Sequence, residues 1–373
     1  MKRIDAEALA KALETRAKED IDACNIGGIS IAVAQSGELL YKNNFGKATT
    51  QGDSVTDRTL FRLASMTKPV TAAATMILVD RGLLSLDTTI DEFYPKFSTM
   101  TVRTESGELT ETKKPITIRS ILAHTAGIAS GNIWLEQIKI MTERDIESIE
   151  SFIEFLSDQP LSFEPDIKQE YSPIGSYSIL TGIIQKVTGM SFEDFMKKEL
   201  FEPCMMVDTT FDPSEEQWGR IITMHNKVDG KSVVGKTYDG CVFEYFPYKN
   251  YLGGAGLISS AADYMNFACM LLSGGVFLGK RILSKESVAE IARAQVFKKV
   301  GESWGLSVRV VTEGSESLLP VGGYGWSGAY GCHFWIDPVN EIAAIYMKNS
   351  NYDGGSTGRT AKNFERDVYS ALI

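Results

Sequence analysis

The feature that most constrains this chain is the placement of its strand-forming segments, which lie at its two ends with helical patterns between them. Residues 28–46 contain a β-branched run, a turn at Ser36-Gly37 and a second apolar run, a combination typical of a β-hairpin. Strand patterns return near the other end, at 304–311, 325–336 and 342–347. We therefore expect the first and last strands to share one sheet, in an α/β fold interrupted by a helical insertion.

Helical periodicity fills the middle of the chain. The clearest case is 66–82, where apolar residues recur on one face until Gly82. Further helical patterns lie near 5–23, 117–123, 145–157, 174–188, 192–199, 260–273, 284–294 and 360–372. These patterns predict an α/β domain made of residues 1–59 and 295–373 and a mostly helical domain over 60–294, with the active site in the cleft between them.

Composition narrows the choice of partners. The chain has 38 basic and 48 acidic residues, a formal net charge of −10, which disfavours binding to nucleic acid or to anionic membranes. Its three histidines are far apart and its five cysteines lack paired spacing, so we expect no metal site and no other cofactor. No long apolar stretch follows the basic residues at the N-terminus, and we therefore expect a cytoplasmic protein with reduced thiols.

Ser65 and Lys68 form the first element that could carry chemistry. They stand three residues apart at the start of the helical pattern, which places both side chains on one helix face. A serine hydroxyl needs a neighbour to take its proton, and burial can lower the pKa of a lysine enough for it to be that base. The pattern also occurs by chance, as a solvated serine beside a surface lysine.

Two later segments could also contribute to catalysis by a serine. Tyr171 precedes a strongly apolar helix, and a phenol near an ammonium can share the role of base, although a single tyrosine is more often a packing residue. Residues 322–331 are rich in glycine beside a strand, which lets a substrate approach backbone N–H groups closely, or simply forms a hairpin bend. Ser327 lacks the final glycine of a nucleophile elbow.

The order of these elements resembles the serine β-lactamase and penicillin-binding protein superfamily, and within it the class C β-lactamase-like esterases, also called family VIII carboxylesterases. The resemblance extends over nearly the whole chain. The matching segments are Ser65-Met66-Thr67-Lys68, residues 115–127, Tyr171-Ser172, residues 253–264 and Gly325-Trp326-Ser327-Gly328. It implies a β-lactamase-like fold, in which a mainly antiparallel sheet from both chain ends is flanked by helices and carries an inserted, mostly helical domain.

The resemblance also implies roles for individual residues. Ser65 would be the acylated nucleophile, with Lys68 and Tyr171 as its base. The backbone N–H groups of Ser65 and Ala329 would form the oxyanion hole. The substrate pocket would include Trp326, Ser327, Gly328, His124, Pro173 and Phe246. Plain packing is the alternative role for Phe246, and His124 is expected to pack or cap its loop.

Two departures from the family pattern point away from peptidoglycan as the substrate. β-Lactamases and transpeptidases usually carry asparagine two residues after the tyrosine, where this chain has Pro173. They usually begin the sheet-edge motif with lysine, where this chain has Trp326, as the esterase branch does. Both missing groups help to hold the amide and carboxylate of a peptide or lactam, and an apolar wall suits an uncharged ester.

The sequence thus predicts a serine hydrolase that cleaves small carboxylic esters through an acyl-enzyme on Ser65. The alternatives on the same site are a D-amino-acid amidase or peptidase, a weak β-lactamase and an acyltransferase, which a scaffold alone does not separate. A non-catalytic sensor of a cell-wall-like ligand is a different class, disfavoured by the retained serine, lysine and tyrosine. A Ser-His-Asp hydrolase would need a histidine beside an activated serine, and no elbow motif supplies that serine.

Overall fold

The computed structural model describes residues 1–373 except 24, 105, 132–145, 147, 235–251, 300, 351 and 355–357. In chain order the strands are β1 (Gly28–Gln35), β2 (Glu38–Gly46), β3 (Phe61–Arg62), β4 (Thr101–Arg103), β5 (Leu109–Glu111), β6 (His225–Val228), β7 (Lys231–Val234), β8 (Ile258–Ser259), β9 (Val276–Phe277), β10 (Lys280–Arg281), β11 (Val296–Lys299), β12 (Glu302–Trp304), β13 (Arg309–Val311), β14 (Tyr324–Ser327), β15 (His333–Asp337) and β16 (Ile342–Met347). Eight of these sixteen strands belong to one large sheet.

That sheet has eight strands in the order β11-β12-β13-β14-β15-β16-β1-β2. All neighbouring pairs are antiparallel. β1 pairs with β16 in a register that runs from Ser30 opposite Met347 to Gln35 opposite Ile342. This pairing confirms that the first and last strands of the chain share one sheet, and the sheet as a whole confirms the predicted fold class.

Two segments predicted as single strands are each interrupted by a turn. In 304–311 the chain leaves β12 after Trp304, and Gly305 N–H donates to Val308 O at 2.9 Å before β13 begins. In 325–336 a turn that includes Gly331, with a φ of +90°, separates β14 from β15. The glycines explain both breaks, because they accept a close backbone approach or a left-handed φ at little cost.

The α-helices are α1 (Ala6–Asp22), α2 (Thr67–Asp80), α3 (Ile118–Leu122), α4 (Ile149–Ser157), α5 (Gly175–Thr188), α6 (Phe192–Met196), α7 (Glu215–Trp218), α8 (Ala261–Leu272), α9 (Lys285–Ala292) and α10 (Arg359–Tyr369). Short 3-10 helices occupy Ala64–Met66, Ile90–Glu92 and Pro95–Thr99, and a π-helix occupies Lys197–Phe201. No helix among the described residues combines the length and apolar character needed to cross a bilayer.

Both faces of the sheet are covered, and this explains why β16 is buried along its whole length. Successive side chains of a strand point to opposite faces. Ala343, Ile345 and Met347 belong to the large core on the side of α2, α5 and α8, whereas Ile342, Ala344 and Tyr346 pack with residues of α1 and α10. The division into domains at 1–59 with 295–373 and 60–294 stays a prediction.

Candidate active site

Ser65 lies where a short strand, β3, turns into the first turn of α2. The 3-10 turn Ala64–Met66 carries it, and Leu63 N–H donates to Leu257 O at 3.0 Å just before that turn. Ala64 has a φ of +45°, a left-handed conformation that is uncommon for a residue with a Cβ and that concentrates at functional sites. Because α2 begins two residues later, Ser65 lies at the positive end of the helix dipole.

Lys68 is fully buried on α2, with its amine directed at three oxygen atoms. Lys68 Nζ lies 3.3 Å from Ser65 Oγ, 2.5 Å from Pro173 O and 2.8 Å from Gly254 O. Burial holds the pKa of this amine well below its ordinary value, because a charge is costly to remove from water. The lysine predicted from the spacing is therefore close to the serine, and its burial favours the neutral form of the amine.

Tyr171 completes the group from a distant part of the chain. Its Oη donates to Ser65 Oγ at 2.6 Å, and Lys68 Nζ lies 4.8 Å from the centre of its ring. Burial raises the pKa of Tyr171 to about 12, although its hydrogen bond with the Ser65 side chain opposes the rise. The phenol is thus protonated at neutral pH and serves as a hydrogen-bond donor to the serine.

The hydrogen bonds assign the protons around Ser65 in a consistent way. A neutral amine has two N–H donors and one lone pair, and Lys68 has two carbonyl oxygens and one hydroxyl as neighbours. In the neutral amine the two N–H groups can donate to Pro173 O and Gly254 O, which leaves the lone pair for the Ser65 hydroxyl proton. Tyr171 donates to the same hydroxyl oxygen from another side. The arrangement suits removal of the serine proton by the amine.

The chain segment after β14 lies against the backbone next to Ser65. A Cβ on Gly328 would lie 2.1 Å from Leu63 O, so no side chain fits between the two segments. Neither the N–H of Ser65 nor that of Ala329 has a hydrogen-bond acceptor among the described residues. Free N–H groups on adjoining backbone segments are suited to hold a negative oxygen, and their role as an oxyanion hole stays a prediction.

We expect Gly328→Ala to lower kcat for an ester substrate by roughly 10²-fold, since a displacement of about 1 Å at a reacting centre has an effect of that size. The added methyl group would force β14 away from Leu63. Steady-state kinetics would measure the loss, and Gly219→Ala is the control, because its Cβ meets nothing closer than 3.4 Å. A Gly328→Ala enzyme with unchanged kcat would contradict this interpretation of the contact.

His124 lies beneath the site rather than in contact with the serine. It is 1% exposed, and its Nδ1 accepts from Ser172 N–H at 3.2 Å, next to Tyr171 in the chain. Burial holds the pKa of His124 well below its ordinary value, because a charge is costly to remove from water. A neutral imidazole bonded to the backbone beside Tyr171 fits the packing role that the sequence favoured.

An aromatic wall adjoins the phenol of Tyr171, and sequence reasoning missed one of its members. The ring of Trp326 lies 5.5 Å from that of Tyr171, and Trp304 lies 4.5 Å from Trp326 and 5.8 Å from Tyr171. His124 contacts Trp304 at 4.9 Å. Trp304 stands at the end of β12, and no motif or spacing in the sequence links it to the other three residues.

The predicted pocket also included Ser327, Pro173 and Phe246. The Ser327 side chain is only 4% exposed and is hydrogen-bonded to His333, on the sheet face opposite its neighbour Trp326, so the prediction that it lines the pocket is wrong. Pro173 contributes its carbonyl oxygen, which accepts from Lys68. Phe246 lies outside the described residues.

Comparison with known proteins relates this geometry to a family. The family model described as Beta-lactamase matches residues 11–365. Protein Rv1367c of Mycobacterium tuberculosis is 30% identical over 354 residues, which cover 88% of this chain and 87% of that protein. Esterase EstB of Burkholderia gladioli is 26% identical over 385 residues, which cover 95% of this chain and 93% of EstB.

A solved structure shows the same fold. EstCE1, described as a hydrolase with promiscuous acyltransferase activity, matches with a TM-score of 0.84 at 23% identity and covers 98% of this chain and 99% of its own. Together with the family match over nearly the full length, this establishes the superfamily that the motifs indicated. The chain therefore belongs to the beta-lactamase family and is an enzyme of the β-lactamase-like hydrolases.

Proposed function

We propose that the protein is a serine carboxylesterase that cleaves small, uncharged carboxylic esters through an acyl-enzyme on Ser65. The observation that carries the proposal is the position of Ser65 Oγ, 2.6 Å from Tyr171 Oη and 3.3 Å from Lys68 Nζ. The similarity to an esterase along 95% of the chain supports the choice of an ester as substrate.

In the acylation step, Lys68 takes the proton of the Ser65 hydroxyl while its oxygen bonds to the acyl carbon. The carbonyl oxygen becomes negative and is held by the N–H groups of Ser65 and Ala329. When the ester C–O bond breaks, the alkoxide takes a proton from Tyr171, and the ammonium of Lys68 restores the phenol. The alcohol leaves as a neutral molecule, and the acyl group stays on Ser65.

In the deacylation step, a water molecule replaces the alcohol. As the water oxygen bonds to the acyl carbon, Tyr171 takes a proton from the water and gives its own proton to the amine of Lys68, and the same N–H groups hold the negative oxygen. The bond to Ser65 Oγ then breaks, the serine recovers its proton, and the carboxylic acid leaves. The reaction consumes one water molecule and returns every side chain to its starting state.

The walls of the site favour an ester over a peptide or lactam. Trp326 and Trp304 stand near Tyr171, and neither indole supplies the cationic group that would pair with a substrate carboxylate. Pro173 has no side-chain amide, and its backbone carbonyl oxygen accepts a hydrogen bond from Lys68 Nζ. Amidase, β-lactamase and acyltransferase activity would use the same serine, so the balance among them depends on these walls.

A panel of substrates tests the proposal. We expect kcat/KM for p-nitrophenyl acetate and butyrate to exceed that for a chromogenic cephalosporin and a D-alanyl p-nitroanilide by at least about 10²-fold, equivalent to roughly 3 kcal/mol of transition-state binding. Mass spectrometry of the acid-quenched enzyme should find the butyryl group on the peptide that contains Ser65. Faster turnover of the lactam or amide would contradict the esterase assignment and leave the acyl-enzyme mechanism in place.

A further inference from the structure

On the other face of the sheet from Tyr171, a chain of buried polar groups connects the end of β14 to α10. Ser327 Oγ lies 2.7 Å from His333 Nδ1, and His333 Nε2 lies 3.2 Å from Glu365 Oε1. The guanidinium of Arg309 on β13 donates to the same carboxylate oxygen at 3.4 Å. We call Ser327, His333 and Glu365 the polar relay.

The polar relay is almost completely excluded from water. Ser327, His333 and Glu365 are 4%, 2% and 5% exposed. Buried polar groups destabilise the fold unless they are hydrogen-bonded. In the relay Ser327 is hydrogen-bonded to His333, and His333 to Glu365. Ser327 and His333 are also directly opposite each other as the last register pair of β14 and β15. The relay therefore fixes the two strands at the point where the turn between them begins.

The charges determine the direction of the hydrogen bonds. Burial would raise the pKa of Glu365, but the hydrogen bond from His333 and the charge of Arg309 hold it below its ordinary value. The carboxylate therefore accepts from His333 Nε2–H. In the neutral imidazole Nδ1 is then an acceptor, and the Ser327 hydroxyl donates to it. Ser327 Oγ is held by His333 on the face of the sheet away from Tyr171, so it is not placed as a second nucleophile.

The turn that follows Ser327 contains the N–H group proposed to hold the oxyanion. Gly328 N–H donates to Cys332 O at 2.8 Å, and Gly331 N–H donates to Gly328 O at 2.9 Å. Ala329 lies within this turn, and a shift of Ser327 would be transmitted to it through Gly328. Since Gly328 has no room beside Leu63, even a small shift alters the distance between Ala329 and Ser65.

We infer that Ser327, His333 and Glu365 are positioning residues, which hold the β14–β15 turn so that the Ala329 N–H group is aligned with the oxyanion of the Ser65 reaction. The inference rests on the proposed function. The relay acts through the backbone of the turn and touches no substrate. Its effect should therefore appear in the transition state, where the oxyanion forms, and not in ground-state binding.

The first test replaces the hydroxyl at position 327. We expect Ser327→Ala to lower kcat for p-nitrophenyl butyrate by roughly 10- to 100-fold, somewhat less than complete removal of an oxyanion donor, with KM changed less than about threefold. Ser327→Thr keeps the hydroxyl and should recover kcat to within about threefold of the wild type. Glu365→Gln leaves Ser327 intact but removes the carboxylate charge, and kcat should fall in the same direction.

A matched control separates positioning from loss of stability. Tyr369 on α10 donates to Asp337 Oδ2 at 2.6 Å, so Tyr369→Phe removes another hydrogen bond between α10 and β15, at the opposite end of the strand from His333. It should lower the melting temperature by an amount comparable to Ser327→Ala and leave kcat unchanged. The rate at which a fluorophosphonate labels Ser65 gives a second reading, because its adduct also places a negative oxygen in the oxyanion hole.

The outcomes separate the two proposals. Unchanged kcat and labelling rate in Ser327→Ala, with activity abolished in Ser65→Ala, would overturn the relay alone. An equal loss of kcat in Tyr369→Phe would overturn it as well, because the effect would then follow from loosening α10. Ester turnover that survives in Ser65→Ala would overturn the proposed function and the relay with it. The expected pattern is loss in Ser327→Ala, recovery in Ser327→Thr and no loss in Tyr369→Phe.

Discussion

Ser65→Ala is expected to lower kcat for p-nitrophenyl butyrate by roughly 10⁴-fold or more, the scale on which removal of a serine nucleophile acts in hydrolases. The variant retains Lys68, Tyr171 and the free N–H groups, but no oxygen is left to bond to the acyl carbon. Any residual rate should be that of water held in the cleft. The acyl adduct on the Ser65 peptide should disappear entirely.

The structure also predicts that this loss is not a folding defect. The substitution removes one partly exposed oxygen and leaves the strained Ala64 backbone unchanged. We expect circular dichroism spectra to match those of the wild type. Ser157→Ala is the control, because Ser157 is also half-buried, at the end of α4, and its Oγ donates to the backbone carbonyl of Glu154 at 2.7 Å. Ester turnover in Ser65→Ala close to that of the control would refute the nucleophile assignment.

Lys68→Met is expected to lower kcat by roughly 10²- to 10⁴-fold, the usual contribution of a general base. Methionine fills the buried space with an unbranched side chain but offers no lone pair to the Ser65 proton. In the wild type, activity should fall as the pH falls through the lowered pKa of Lys68, because the protonated amine cannot accept that proton. The pH profile of the residual activity of Lys68→Met should lack this fall at low pH, which we call the acidic limb.

The same substitution has a consequence for stability. Burial holds the pKa of Lys68 in the folded state below its ordinary value of 10.5, so the unfolded state binds more protons between the two values. The free energy of unfolding of the wild type should therefore rise with pH across that window, by up to about 1.4 kcal/mol per pH unit. Urea unfolding at several pH values should show that the free energy of unfolding of Lys68→Met lacks this rise with pH.

Lys18→Met is the control for both measurements, because the Lys18 side chain is 75% exposed and lies on α1, far along the chain from the site. It should keep the activity and pH dependence of the wild type. An acidic limb that persists unchanged in Lys68→Met would assign that ionisation to a different group. It would also argue against Lys68 as the base.

Local geometry explains which parts of the site could be predicted. Ser65 and Lys68 are three residues apart at the start of a helix, and helix geometry alone brings such side chains together. The structure places their reactive atoms 3.3 Å apart, as the spacing indicated. The strands were predictable for a similar reason, because β-branched runs bounded by glycine form strands in most contexts.

Other parts depend on contacts between distant segments. Trp304 reaches Trp326 because β12 and β14 belong to the same sheet, and no pattern within either segment indicates this. The orientation of Ser327 could not be read either. Aromatic residues alternate with Gly325 and Ser327 in this strand, but the alternation does not say which face of the sheet borders the cleft. The family resemblance pointed to this strand but not to the side on which its serine lies.

The sequence by itself indicated the main helices, the strands at both ends of the chain and the candidate reactive groups, because helical spacing, strand patterns and family motifs are local properties. Only the tertiary structure decided the protonation and surroundings of those groups. Burial of Lys68, the carbonyls of Pro173 and Gly254 that receive its N–H groups, and the polar relay beneath Ala329 all arise from packing between segments far apart in the chain. Desolvation and hydrogen-bond partners are properties of that packing, and they set the chemistry that the same residues can perform.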